Sequence, residues 1–256
     1  MIHNENSRVK IPALVHLTRL KYDYLSLKQY NGGICSETNI FKSLFWAGIN
    51  RINGCNLSEQ DVDRLLEELI IKLSNDDLGR AFYKILLDGI NGLRIIDLED
   101  ESRNTYHTVT ELTYRNGEDE FRPDITLLIN GLPLAFVEVK KPNNRDGIIA
   151  EHNRINTRFS KEAFRRFVNI TQLMVFSNNM EYDDSDPEPI EGAFYASSSY
   201  QKLFFNRFRE EEPQLHAAIQ EIDGQKEDFI LSDNNLVSIK GTSEYCTNLN
   251  GLTPTN

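Results

Sequence analysis

Asp124, Glu138 and Lys140 stand in the stretch Phe121–Lys141, which reads FRPDITLLINGLPLAFVEVKK. Two apolar runs, Ile125–Ile129 and Leu132–Val139, flank an Asn130-Gly131 pair, the strongest short-range hairpin signal a sequence carries. A charged group in a strand of this composition is buried at a cost unless a metal or a partner compensates it. Glu138 and Lys140 are two apart, so they share one face of their strand. Asp124 joins them under only one kind of register. A strict two-residue turn pairs Ile129 with Leu132, hence Asp124 with Val137, and leaves Asp124 on the other face. A three-residue loop, or one bulge, moves Asp124 opposite Glu138. Directly opposed Cβ atoms lie about 4.5–5.5 Å apart, so two carboxylates there repel unless a cation sits between them. The expectation is a longer loop or a bulge, and with it a divalent metal site.

Two oxygen ligands with an open remaining shell suit Mg²⁺, which Mn²⁺ can replace. The Val139 carbonyl is a candidate third ligand. A metal there would lower the pKa of a bound water and polarise a phosphoryl oxygen. Lys140 would orient the attacking water or neutralise the charge that develops on phosphorus. Together these residues describe metal-assisted phosphodiester hydrolysis. The bland alternative is a surface hairpin whose Asp and Glu pair with Lys140, Lys141 or Arg122.

The elements that must position this hairpin read as α/β. Residues 1–35 are mixed, with Ala13–Leu17 and Tyr22–Leu27 as short strands or turns of helix. Ser36 is a candidate N-cap for a helix through Ile40, Phe41, Leu44, Phe45, Ile49 and Ile52. Glu37 in its first turn is either a helix-dipole carboxylate, the favoured reading, or an accessory metal ligand or base. Ser58 and Asp61 form a capping box for a second helix, and Asn75-Asp76-Asp77 caps a third. Leu93–Leu98 and Asn104–Tyr114 read as strands, and Pro123 should start a strand rather than sit inside one. A long amphipathic helix is expected over about 147–168, with Arg154, Arg158, Lys161 and Arg165 as a basic stripe. That stripe is either a phosphate-contacting face, Arg154, Arg158 and Arg165 above all, or a solvated one. Gln172–Phe176 and Ala193–Ala196 read as strands, Tyr200–Arg209 and Pro213–Ile222 as helices.

Composition narrows the classes. The 256 residues carry a net charge of −11, which is unusual for a free-standing nucleic-acid binder. A chain that acts on DNA with this balance needs a local basic patch, a metal or other domains to hold the polyanion. No run approaches the length of a membrane span, and no apolar leader opens the chain. Cys35, Cys55 and Cys246 fit no zinc or disulfide framework, so a cytoplasmic location is expected.

The motif Pro123-Asp124 … Glu138-Val139-Lys140 resembles the PD-(D/E)XK nuclease superfamily. More closely, the chain resembles the N-terminal part of the restriction subunit of type I restriction–modification enzymes. The segments that carry this are Phe121–Asn144, Arg154–Arg166, Thr171–Asp184 and Gly192–Phe205. The resemblance implies a restriction-endonuclease-like α/β core with a mixed central sheet flanked by helices. It implies Mg²⁺-dependent cleavage of double-stranded DNA, with Asp124 and Glu138 as metal ligands and Lys140 as the catalytic lysine. It also implies a downstream ATP-driven motor, and methyltransferase and specificity subunits as partners. The chain has no G-x-x-x-x-G-K-[ST] loop, so ATP would belong to the longer protein. The domain expectation is a segment 1–35, a nuclease domain 36–222 and a polar linker 223–256 toward that motor. The Q-x-x-x-Y motif of many such domains is absent; its closest register holds Ile155 and Phe159. A reading from another class is a non-catalytic coupling or DNA-handling module that keeps the fold.

Overall fold

The computed structural model describes residues 9–141, 144, 146–180, 191–199 and 201–208. A mixed seven-stranded sheet runs through them, with helices around it, a restriction-endonuclease-like α/β core. Its strands are β1 (Asp23–Tyr24), β2 (Tyr106–Thr110), β5 (Ile125–Ile129), β6 (Leu132–Val139), β7 (Leu173–Ser177), β8 (Ala193–Ala196) and β9 (Asn206–Arg207), in that spatial order. The pairs β1–β2 and β6–β7 are parallel and the rest antiparallel. A separate two-stranded hairpin joins β3 (Tyr114–Asn116) to β4 (Asp119–Phe121).

The central hairpin, β5–β6, is reached through a tight turn. Asn130 and Gly131 both have positive φ, 49° and 78°, as the two-residue I′ turn requires. Ile129 pairs with Leu132 and Leu128 with Pro133, but Leu127 pairs with Ala135. Leu134 is therefore the extra residue of a bulge. Proline lacks the N–H that a regular ladder would need, and Pro133 sits at this irregularity. The bulge changes what β6 faces. Leu132 and Leu134 pack with the helices α2 (Lys42–Asn53), α3 (Glu59–Leu73) and α4 (Arg80–Asp88). Phe136 packs instead with Ile148 and Ile155 of α5 (Gly147–Phe159) and with Phe176 and Phe194. Glu138 is two residues past Phe136 and shares its side of the strand.

Local chemistry explains most element ends. Ser58 and Asp61 form the capping box of α3. Asp77 accepts the N–H of Gly79 at 3.0 Å and of Ala81 at 2.9 Å, capping α4 from within its lead-in. The helix after Ser36 starts five residues later than its N-cap signal suggests. Cys35–Asn39 is a turn, and the Phe41 N–H donates to the Gly131 carbonyl at 2.9 Å. Full burial of Ile40 and Phe41 fixes that entry.

One open reading is resolved and three other expectations are corrected. Ala13–Leu17 lies in α1 (Ile11–Arg19), and of Tyr22–Leu27 only Asp23–Tyr24 is a strand, at the sheet edge. Leu93–Leu98 is an irregular loop, buried at Ile95–Asp97. Its Asp97 accepts the N–H groups of Glu99 and Asp100 and pairs with Arg103, so side chains replace a ladder. The long helix breaks after Phe159. A 3-10 turn, Glu162–Phe164, and a short α6 (Arg165–Ile170) follow, which lets Phe164 and Phe167 pack on Tyr114. Over Tyr200–Arg209, the described residues, 201–208, form no helix. Phe205 stacks on Phe176 at 4.4 Å, and β9 pairs with β8. Pro213–Ile222 and the stretch 223–256 lie outside the described residues. No helix among the described residues is long and apolar enough to cross a membrane.

Candidate active site

The register that begins at Ile125 opposite Val137 places Asp124 beside Glu138 at its next step. Two contacts fix it. The Val139 N–H donates to Asp124 Oδ2 at 3.0 Å, and the Asp124 N–H donates to Glu138 Oε2 at 3.4 Å. Lys140 Nζ lies 2.9 Å from Glu138 Oε1. Asp124, Glu138 and Lys140 are thus gathered at one end of the hairpin.

Lys10 on one side and Glu151 on the other extend the cluster. Lys10, just ahead of α1, places its ammonium 2.7 Å from Asp124 Oδ1 and also pairs with Glu111. Glu111 in turn holds Arg122 at 2.8 Å. On the other side Lys140 Nζ lies 3.3 Å from Glu151 Oε2, on α5. Glu151 is 1% exposed. It also binds Arg154 at 3.0 Å and Arg158 at 3.1 Å. The Arg158 guanidinium lies 4.1 Å above the Phe121 ring. A cleft of about 430 Å³ opens here, lined by Glu138, Glu151, Phe121 and the arginines 115, 122, 154 and 158.

The electrostatics follow from burial. Glu138 is pushed up to about 7, first by desolvation and then by the carboxylates of Asp124 and Glu151; the Lys140 charge pulls the other way without prevailing. Lys140 would be lowered by its own burial, but Glu138 and Glu151 outweigh that and hold it above the usual lysine value. Lys10 follows the same pattern through Asp124 and Glu111.

The other residues singled out in the sequence are dispersed. Arg154 and Arg158 line the cleft, whereas Arg165 pairs with Glu162 and Asp76. Glu37 pairs with Arg166, which also donates to Ser74. That places Glu37 where α6 meets the end of α3, and its role at the Asp124–Glu138 pair has no contact to rest on. Among the described residues no group of three or more His, Cys, Asp or Glu side chains gathers as a metal cage. The donor set is two adjacent carboxylates, Asp124 and Glu138. That fits a hard cation such as Mg²⁺ better than an all-protein site. A carboxylate driven up to about 7 beside another, and an ammonium seated on Asp124 Oδ1, both mark a place that favours positive charge.

Lys10 and Glu151 are absent from the motif. Glu151 had a readable signal, since it falls at i+3 from Ile148 and i−4 from Ile155, on the apolar stripe of its helix. Lys10 had none, because its partners are about a hundred residues away in sequence.

Residues 2–190 match the family model described as "Type I restriction enzyme R protein N terminus". Among curated proteins, the chain is 26% identical over 214 residues to the "Putative type I restriction enzyme MjaIXP endonuclease subunit" of Methanocaldococcus jannaschii, covering 72% of this chain and 19% of that protein. It is 26% identical over 144 residues to the "Type I restriction enzyme HindI endonuclease subunit" of Haemophilus influenzae, covering 48% of this chain and 14% of that protein. The chain therefore spans about a fifth or less of the relatives it matches.

Proposed function

Since the chain belongs to the family of type I restriction enzyme R protein N termini, we propose that it is the endonuclease module of such a subunit and hydrolyses phosphodiester bonds in double-stranded DNA. The observation that carries this is the convergence of Asp124, Glu138 and Lys140 across a bulged hairpin, with Glu138 lining an open cleft rimmed by arginines. Asp124 and Glu138, with the Val139 carbonyl, would hold Mg²⁺, which when bound supplies a more acidic water and a polarised phosphoryl oxygen. Lys140, whose ammonium contacts Glu138, would offset charge that develops on the reacting phosphate. Asp124 is aligned by the Val139 N–H, so its orientation is set by the strand and not by solvent. Arg154 and Arg158 line the approach and would meet flanking phosphates; Arg165, paired at the far end of the stripe, is a weaker candidate. Movement of DNA by ATP hydrolysis and recognition of sequence belong to the remainder of the protein and to the methyltransferase and specificity subunits. The overall acidity of the chain agrees with DNA being held elsewhere.

The test is cleavage of circular DNA by the assembled enzyme carrying Asp124→Ala or Lys140→Ala. Cleavage should be lost, with DNA-dependent ATP hydrolysis retained. Cleavage at the native rate by Asp124→Ala would favour the non-catalytic coupling module instead.

A further inference from the structure

Glu151 is a carboxylate at 1% exposure, set into the apolar face of α5 between Ile148 and Ile155. Burying a charge costs several kcal/mol before any partner is counted. An apolar side chain of similar volume would serve the packing at least as well, so a buried ion pair is weak grounds for a stabilising role. What distinguishes Glu151 is its choice of partners. Oε2 lies 3.3 Å from Lys140 Nζ, and the same ammonium lies 2.9 Å from Glu138 Oε1. Arg154 and Arg158 hold Glu151 from the cleft side at 3.0 and 3.1 Å. Lys140 is therefore suspended between two carboxylates on different elements, β6 and α5.

A lysine has a flexible four-carbon stem, and its ammonium goes where the local charge directs it. With Glu138 as its one anionic partner, Lys140 would fold down along its own strand onto that carboxylate. Glu151 supplies the opposing pull, and it comes from a rigid helix. We infer that Glu151 is a positioning residue, which keeps the Lys140 ammonium from resting on Glu138 alone and fixes it between β6 and α5, beside the cleft that Glu138 and Glu151 line. This rests on the nuclease reading above and adds to it a residue outside the Asp/Glu/Lys motif.

Two substitutions test it in the assembled enzyme. Glu151→Gln keeps the shape and removes the charge. Glu151→Asp keeps the charge and withdraws it from Lys140 by one methylene. Single-turnover cleavage is measured across DNA concentration, with the melting temperature of the full chain as the check on folding and Lys140→Ala as the reference. Misplacing a catalytic group by about an ångström costs up to roughly a hundredfold in rate. Both variants should thus fold and lose about 10–100-fold in the saturating rate. The half-saturating DNA concentration should stay within about threefold of native.

Native cleavage rates in both variants, with Lys140→Ala inactive, would overturn the role of Glu151 and leave the nuclease reading standing. Native cleavage by Lys140→Ala would instead remove the nuclease reading itself. A loss confined to half-saturation would assign Glu151 to DNA binding through its arginines and overturn the positioning role. Unfolding of both variants would make it a structural residue and overturn the inference as well.

Discussion

Glu138→Gln is expected to stop DNA cleavage and, in the metal-free chain, to make the fold more stable above pH 7. The two effects share one cause. Desolvation and the neighbouring carboxylates raise Glu138 to about 7 from an ordinary value of 4.5. The folded state therefore holds this proton more tightly than the unfolded state does. Between about 4.5 and 7 unfolding releases the proton, so the contribution of Glu138 to stability falls as pH rises through that window. It is fully retained below the unfolded value and spent above the folded one. One pKa unit is worth about 1.4 kcal/mol, so the span amounts to roughly 3 kcal/mol. Glutamine has no proton to lose, and the variant lacks this slope. Denaturant unfolding in EDTA, at pH 5 and pH 8, should show the stability difference between variant and native chain shifting by roughly 2–3 kcal/mol in favour of the variant. Taking the difference cancels the other titrating groups. A shift near zero, or of opposite sign, would mean that Glu138 is not strained in this way. For cleavage, the neutral amide removes one of two anionic donors, and a loss of roughly a thousandfold or more is expected. A residue kept at a cost to the fold and required for activity is what a functional carboxylate should look like.

Asn130→Ala should destabilise the chain by roughly 4 kcal/mol, the largest expected loss of stability at a position outside the site. Asn130 is fully buried at the hairpin turn. Its Nδ2 donates to the Ile95 carbonyl at 3.1 Å and to Asn104 Oδ1 at 2.8 Å. Its Oδ1 accepts the Thr105 N–H at 2.8 Å and Arg51 at 3.2 Å. Alanine leaves these groups without that partner at about 1–3 kcal/mol for each that stays unsatisfied. It also carries a Cβ-only side chain into a φ of 49°, which asparagine tolerates better. Helix α2 lies against this turn so closely that a Cβ at Gly48 would come within 2.7 Å of the Asn130 Cβ. Loosening the turn frees the register that brings Asp124 to Glu138. Equilibrium unfolding of native and variant chains measures the effect, and a loss below about 1 kcal/mol would show that water or neighbours replace the bonds.

Much of the site was legible because strand parity leaves few choices. Asn130-Gly131 demanded a tight turn, and two carboxylates on one face demanded an added residue; the structure satisfies both by placing a bulge at Leu134. Pro133 is the sequence signal that locates it, since a proline there cannot complete a regular ladder. The capping box at Ser58 and the strands β7 and β8 were readable from neighbours in sequence. What escaped depends on distant partners. Leu93–Leu98 has the composition of a strand, yet Asp97 and Asn104 satisfy its backbone with side chains. The long helix breaks after Phe159 so that Phe164 and Phe167 can reach Tyr114, a contact that periodicity does not encode. Lys10 meets Asp124 only because residues ahead of α1 return to the hairpin.

The central claim is that Asp124 and Glu138 form one cation site. The measurement is a calorimetric titration of Mn²⁺ into the native chain and into Asp124→Ala at pH 8, above the value at which Glu138 titrates. The expected result is a saturable heat for the native chain that the substitution removes. Superimposable titrations of the two chains would contradict it.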